Sequence, residues 1–471
     1  MQNRLSNFIY FYMLFIPTLI VSAQHIPDAN FANAIRRECP KCIDEGDNLV
    51  INEAKKIEFL QINNQQIANL AGIHHFENLK CLDCSHNNLT TLPKLPTKLF
   101  SLNCSYNQIA KMPPMPNSLA RLNCDNNQLV FLPSLPKLLS KLTCSHNKIK
   151  ELTILSSDLS FLDCSHNELV KLDYSSKKLT HLDCSHNKIG EINQLPASLT
   201  YLNAAHNQVK KLLSLPPNLT ELHIQYNQID YIPNLPLPLL YLRCDHNRLN
   251  NLPELTLNTE LFYLHCASNK LDKLPLLPNQ LVYFNADSNQ LTALSNWPAD
   301  VEFFYCANNQ LQKLPMGNFP PDLKELYCNH NQISTLTFPY DCKLEKLNCN
   351  HNRLINIDTL PMELVDFYCA DNVELACLPK LPLNLINFDC KNTLVTCLIT
   401  TNRNLLPLCD ADNNLHKCPL SNSSKTIFKP FVRKKYVEPL SRYDDGNVSK
   451  FYKLYNYRSF RTKNYYPIEC E

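Results

Sequence analysis

Asparagine recurs along this chain at a fixed spacing. The set is Asn87, Asn107, Asn127, Asn147, Asn167, Asn187, Asn207, Asn227, Asn247, Asn269, Asn289, Asn309, Asn331, Asn352 and Asn372; the first nine are 20 residues apart and later gaps are 20, 22, 21 or 20. Each sits in one frame. Residues 79–98 read L-K-C-L-D-C-S-H-N-N-L-T-T-L-P-K-L-P-T-K, and Leu99 starts the frame again. A fixed period of this length specifies a solenoid, not a string of globular domains.

With Leu79 as position 1, the stretch around L-x-C predicts one short strand per repeat. Positions 4 and 6 share parity and point inward, whereas positions 3, 5 and 7 face the other way. The position-9 Asn turns the chain out of the strand, and its amide is suited to bond the backbone of its own and neighbouring turns. In the L-P-x-L-P segment, prolines such as Pro93 and Pro96 exclude a helix and favour an extended, polyproline-like path. Position 6 is Cys in most repeats, from Cys84 to Cys390, but Ala204, Ile224 and Ala286 also fill it. That interchange describes a slot for a small or apolar residue, so reduced, buried thiols are expected. A disulfide ladder is not expected, because in-register strands hold Cβ atoms about 4.8 Å apart, beyond disulfide reach.

The frame L-x-x-L-x-C-x-x-N-x-L-x-x-L-P-x-L-P resembles the leucine-rich repeat, in the short, proline-rich bacterial form of secreted effectors such as the YopM and IpaH families. The resemblance covers residues 79–398, and a degenerate first turn extends it to Phe59. It implies an α/β-type solenoid dominated by parallel β: a horseshoe with one short strand per repeat, a concave sheet face and an extended convex side. IpaH-like proteins carry a large catalytic ubiquitin-ligase domain after their repeats. Only about fifty residues follow Leu420 here, too few for such a domain, so that chemistry does not carry over and no enzyme is expected.

The ends read differently. Arg4, an apolar run from Phe8 to Val21 and the small-residue site Val21-Ser22-Ala23 predict a signal peptide over residues 1–23, hence an exported protein; an uncleaved anchor is the alternative. No later segment is apolar enough to span a bilayer. Residues 24–58 are expected to cap the first repeat with a short amphipathic helix, and residues 59–398 to form the repeats. In residues 377–420 the frame blurs, and residues 399–420 are read as a closing cap or degenerate repeat. Residues 421–471 form a tyrosine-rich tail with 11 Lys/Arg against 5 Asp/Glu. The Cys39-Pro40-Lys41-Cys42 pair predicts a disulfide within the N-terminal cap.

Two stripes carry the functional reading. Aromatic residues recur at position 3 (Phe161, Tyr201, Tyr241, Tyr263, Tyr283, Phe303) and position 5 (Tyr305, Tyr327, Tyr368). Since Leu and Cys fill the inward slots, these rings are expected to be exposed on the concave face, as a partner-binding surface. Cross-strand packing that stiffens the sheet is the alternative. The second stripe is histidine at position 8, with His146, His166, His186 and His206 in consecutive repeats. It is a weak metal candidate, weighed against plain duplication of a repeat, and no cofactor is expected.

The function that follows is non-catalytic recognition of a protein, with a host protein among the candidate partners and a glycan as a second class. Nucleic acid is not the expected partner. The alternative is a cell-surface adhesin or envelope structural protein that contacts lipid or polysaccharide through the basic tail.

Overall fold

A computed structural model describes residues 23–395, apart from 153–154, 173–175, 316–317 and 340. The expected signal peptide, closing cap and basic tail therefore lie outside the described residues. The chain forms two compact units, Met1–Asn269 and Lys270–Glu471. In the first, a strand at Phe59–Gln61 pairs in parallel with one at Cys81–Asp83, and the ladder continues strand by strand to Tyr263–His265. In the second, the same ladder runs from Tyr283–Asn285 to Asn387–Asp389. Within each ladder the pairing is in frame, Leu102 opposite Leu122 and Leu222 opposite Leu242, so position 4 faces position 4. The blurring expected from residue 377 does not reach the strand at Asn387–Asp389, which keeps its register with Asp366–Tyr368.

Each strand is only three residues long, and this limits the alternation predicted from parity. Positions 4 and 6 are inward and fully buried, as at Leu142 and Cys144. Position 7 was expected on the concave face but is tucked away: Ser85, Ser105, Ser145, Ser165, Ser185 and Asp245 are all buried. The reason is local. Position 5 Asp or Asn accepts the position-7 backbone N–H, as from Ser165 to Asp163 Oδ1 at 3.0 Å, and the serine hydroxyl bonds the same oxygen at 2.7 Å. Such an Asx-type turn ends the extended backbone one residue early.

Position 8 then takes a left-handed conformation in repeat after repeat. His86, Tyr106, Asn126, His146, His166, His186 and His206 all have φ between 51° and 54°. This region penalises residues with a Cβ, and Asn, Asp and His occupy it more readily than most. With only 5 glycines in 471 residues, the chain meets the constraint with His, Asn, Tyr and Ser instead.

The position-9 amide closes the turn. Asn127 Nδ2 donates to the carbonyls of Cys124 (3.2 Å) and Asp125 (3.1 Å) in its own repeat and of Cys104 (3.0 Å) in the repeat before. Its Oδ1 accepts the N–H of Ile109 at 2.9 Å. The same set recurs at Asn167, Asn187 and Asn247. Each side chain thus satisfies backbone groups of two turns that would otherwise be buried without a partner. On the return path, the carbonyls of Pro116, Pro136 and Pro196 accept N–H from Leu119, Leu139 and Leu199 in tight turns, and the chain re-enters the next strand.

Cysteine fills the inward slot as free, buried thiol at Cys84, Cys104, Cys124, Cys144, Cys164 and Cys184. Several donate to the position-5 carbonyl of the next repeat, as Cys104 does to Asn123 at 3.4 Å. Burial pushes these thiols well above their ordinary pKa, to about 12 at Cys328, so they remain protonated. Cys390 corrects the expectation of reduced thiols throughout: it is disulfide-bonded, as is Cys81. Cys390 directly follows the strand at Asn387–Asp389.

The N-terminal cap contains a helix, Ala29–Glu38, with Asp28 at its N-cap. Asp28 Oδ1 accepts from Phe31 N at 3.0 Å, and its Oδ2 accepts from Ala68 N (2.7 Å) and Asn69 N (2.8 Å), fixing the helix to the first turn. Phe31, Ala34 and Ile35 cover the end of the core. Cys39 and Cys42 are joined by a disulfide.

Replacing Asn187 by Ala orphans several buried backbone groups at once. Each costs about 1–3 kcal/mol, so Asn187→Ala is expected to destabilise the chain by at least about 3 kcal/mol. Urea unfolding of the variant beside the native chain reads this directly.

Candidate functional site

Positions 3 and 5 form two columns on the open face of each ladder. In the first unit, position 3 carries Arg121, Lys141, Phe161, His181, Tyr201, Glu221, Tyr241 and Tyr263 in order. Parallel, in-register strands bring these side chains into direct contact. Lys141 Nζ lies 4.7 Å from the centre of the Phe161 ring. Phe161 stacks on His181 at 4.2 Å, and His181 on Tyr201 at 4.1 Å. Tyr241 stacks on Tyr263 at 4.0 Å.

This packing corrects the expectation of exposed rings. Tyr241 is 1% exposed, Tyr263 6% and Tyr283 4%. Phe161, Tyr201, Phe303, Tyr305, Tyr327 and Tyr368 are half-buried. Flat rings one strand spacing apart cover one another's faces and leave only edges to solvent. In the second unit the rings tilt instead of stacking: Tyr305 lies 5.5 Å from Tyr283 and 5.2 Å from Tyr327, and its hydroxyl donates to Glu325 at 2.7 Å.

The face also holds a polar cluster. Asp245, fully buried, takes Arg243 Nε at 2.9 Å and His246 Nδ1 at 2.8 Å, with His265 Nδ1 at 3.4 Å. One repeat earlier, His223 Nε2 stands 3.7 Å from Glu221. Burial lowers His265 to about 4, against the pull of Asp245. Burial also works against the charge on Asp245, but His265, His246 and Arg243 together overcome it and hold the carboxyl at about 2. Sequence reading missed this cluster. Its signal was the break in the Asp/Asn–x–Ser pattern of positions 5 to 7, at His223, Arg243 and Asp245.

Other carboxyls move the opposite way. Burial raises Asp125 and Asp183 to about 6 and Asp287 to about 7, each against hydrogen bonds that favour the charged form. Asp183 Oδ2 accepts from Asn203 Nδ2 at 2.9 Å, and Asp287 Oδ1 from Ala307 N at 2.6 Å.

At position 8, His146, His166, His186, His206, Tyr226 and His246 form one continuous stack. Neighbouring ring centres are 4.0 to 4.3 Å apart and the planes lie within 14° of parallel. Parallel rings send their nitrogens side by side rather than toward a common point. Among the described residues, no group of three or more His, Cys, Asp or Glu is disposed to hold a metal. The four histidines weighed as a metal candidate, His146, His166, His186 and His206, are packed here as a ring stack.

The Leucine Rich Repeat family profile matches residues 78–99. YopM from Yersinia enterocolitica has 30% sequence identity and a TM-score of 0.63, over 75% of this chain and 87% of that one. The chain belongs to the leucine-rich-repeat family. YopM from Yersinia pestis, described as a leucine-rich effector protein, is 27% identical with a TM-score of 0.56, over 81% of this chain and 99% of that one. InlJ from Listeria monocytogenes, whose functional domain includes a cysteine ladder, is 25% identical with a TM-score of 0.55, over 78% and 74%. No curated protein sequence matches the chain. This leucine-rich-repeat protein thus resembles bacterial effectors and internalins, and among its described residues no helix is long and apolar enough to cross a membrane.

Asp287 supplies a pH test. Its carboxyl is raised from 3.8 to about 7, so the folded chain holds this proton where the unfolded chain has lost it. The contribution is present at low pH and is lost as pH rises from 3.8 through 7. Asp287→Asn keeps an oxygen for Ala307 N and cannot ionise. Its stability relative to the native chain is expected to climb between about pH 4 and 8.5, by up to about 4 kcal/mol, in thermal unfolding across that range.

Proposed function

We propose that this leucine-rich-repeat protein is a non-catalytic recognition scaffold, exported from the cell that makes it, which binds a protein partner across the open face of its strands. The observation that carries this reading is the contrast between positions. Positions 4, 6 and 9 repeat the same chemistry, whereas positions 3 and 5 change from repeat to repeat and present ring edges at Phe161, Tyr201, Phe303, Tyr305, Tyr327 and Tyr368. Aromatic side chains that are partly covered and rigidly held suit protein recognition, since little freedom is lost when a partner covers the rest. Export is supported by the signal peptide expected over residues 1–23 and by the likeness to an effector protein. A host protein is the partner we favour.

A second reading, an adhesin or envelope protein held by its basic tail, rests on the charge of residues 421–471. One experiment separates the two. Chemical crosslinking and capture from host-cell extract would compare the chain from Gln24 with a Phe161→Ser/Tyr201→Ser variant and with a chain ending at Leu420. The buried Tyr241, Tyr263 and Tyr283 stay untouched, because their loss would open cavities and unfold the scaffold. The recognition reading predicts at least about a tenfold loss of a specific partner with the serine variant and no loss on truncation. Capture that survives the serine changes and fails on truncation would replace it with the second reading.

A further inference from the structure

The position-8 stack serves no part of the recognition reading, yet it is the most regular side-chain feature of the first unit. Its rings leave the sheet at the turn, on backbone fixed by hydrogen bonds that do not involve the rings: His166 N donates to Ser185 O at 2.9 Å, and His186 N to Ala205 O at 2.9 Å. His166 and His206 are half-buried and His146, His186 and His246 exposed, so water reaches the stack along its length. Asn126 and Asn308 occupy the same position with φ of 53°. The backbone therefore does not require the rings, and the rings are free to change state without unfolding the turn.

We propose that this stack is an acid-sensitive clasp: packed while its imidazoles are neutral, and opened when they take up protons. Neutral imidazoles at 4.0 Å gain from face-to-face packing. Protonated neighbours at that distance would place like charges against each other, and the rings would swing apart into water. The charged groups near the stack are of both signs. Asp163, on the strand that leads into the turn, acts on His166 together with the rings of His146 and His186. Asp245 bonds His246 at the far end. Glu168, two residues beyond His166, is already paired with Lys188 at 3.3 Å, and Lys148 and Arg248 lie two residues beyond His146 and His246 with the same sign as a protonated ring. Burial within the stack first, and the neighbouring histidines second, lower His166 to about 4, consistent with this arrangement. Opened, the stack would turn a neutral ridge on the strand ends into a row of cations.

The test is a histidine titration of the full chain by nuclear magnetic resonance, following the Cε1–H signals and the ring-to-ring Overhauser cross-peaks of His146, His166 and His186. The clasp predicts a His166 midpoint near 4, with the cross-peaks vanishing over the same range and the backbone circular dichroism unchanged. In His186→Asn, which keeps the turn as Asn126 does, the His166 midpoint is expected to move up toward the ordinary 6.5. A native midpoint at 6.5, cross-peaks that persist through protonation, or a midpoint unmoved in the variant would overturn it. The titration and cross-peaks of the unsubstituted chain decide the matter alone if the variant does not fold.

Discussion

The structure depends on a carboxamide in a place where carboxamides are rarely found. A solenoid turn of about 20 residues must reverse the chain twice with very little helix to absorb its backbone polar groups. The position-9 Asn meets that constraint with one side chain, as Asn127 does by donating to carbonyls of two repeats and accepting an N–H from one. Only Asn or Gln presents both donors and an acceptor on one planar group, and only Asn is short enough to stay within the turn. Its cost of burial is offset by the backbone groups it satisfies.

The other regularities follow. Because the amide fixes the turn, position 8 is forced into the left-handed region, which admits His, Asn and Ser, and rings placed there at one strand spacing must stack. Because the strand is three residues long, the inward slot beside the turn is narrow, and Cys, Ala or Ile fit it. A thiol has the further advantage of a weak donor for the neighbouring carbonyl, as at Cys124 and Thr143. What is left to vary is the pair of columns at positions 3 and 5. Recognition on a repeat scaffold belongs there, where the residue changes from repeat to repeat while positions 4, 6 and 9 keep theirs.

Much of this was legible in the sequence. The period, the register and the inward Leu and Cys follow from residues that return at equal spacing, and a parallel ladder converts equal spacing into equal position. The surface was less legible. Parity along a strand tells which face Tyr241 or Tyr263 occupies; it does not tell how far the ring of the next repeat covers it, and here cover is nearly complete. Parity also failed at position 7, because the Asx turn from Asp163 to Ser165 ends the strand before alternation reaches it. The Arg243–Asp245–His265 cluster escaped notice because its members span two repeats and share no motif.

The central claim is that the asparagine amides hold the turns shut. The N–H groups they bind, at Ile109, Leu129, Ile149 and Ile189, report on it directly through native-state hydrogen exchange. If the claim holds, these amides exchange only with global unfolding, and as slowly as those of the strands. Exchange of these amides at the rate of exposed return-path residues, while the strands remain protected, would contradict it.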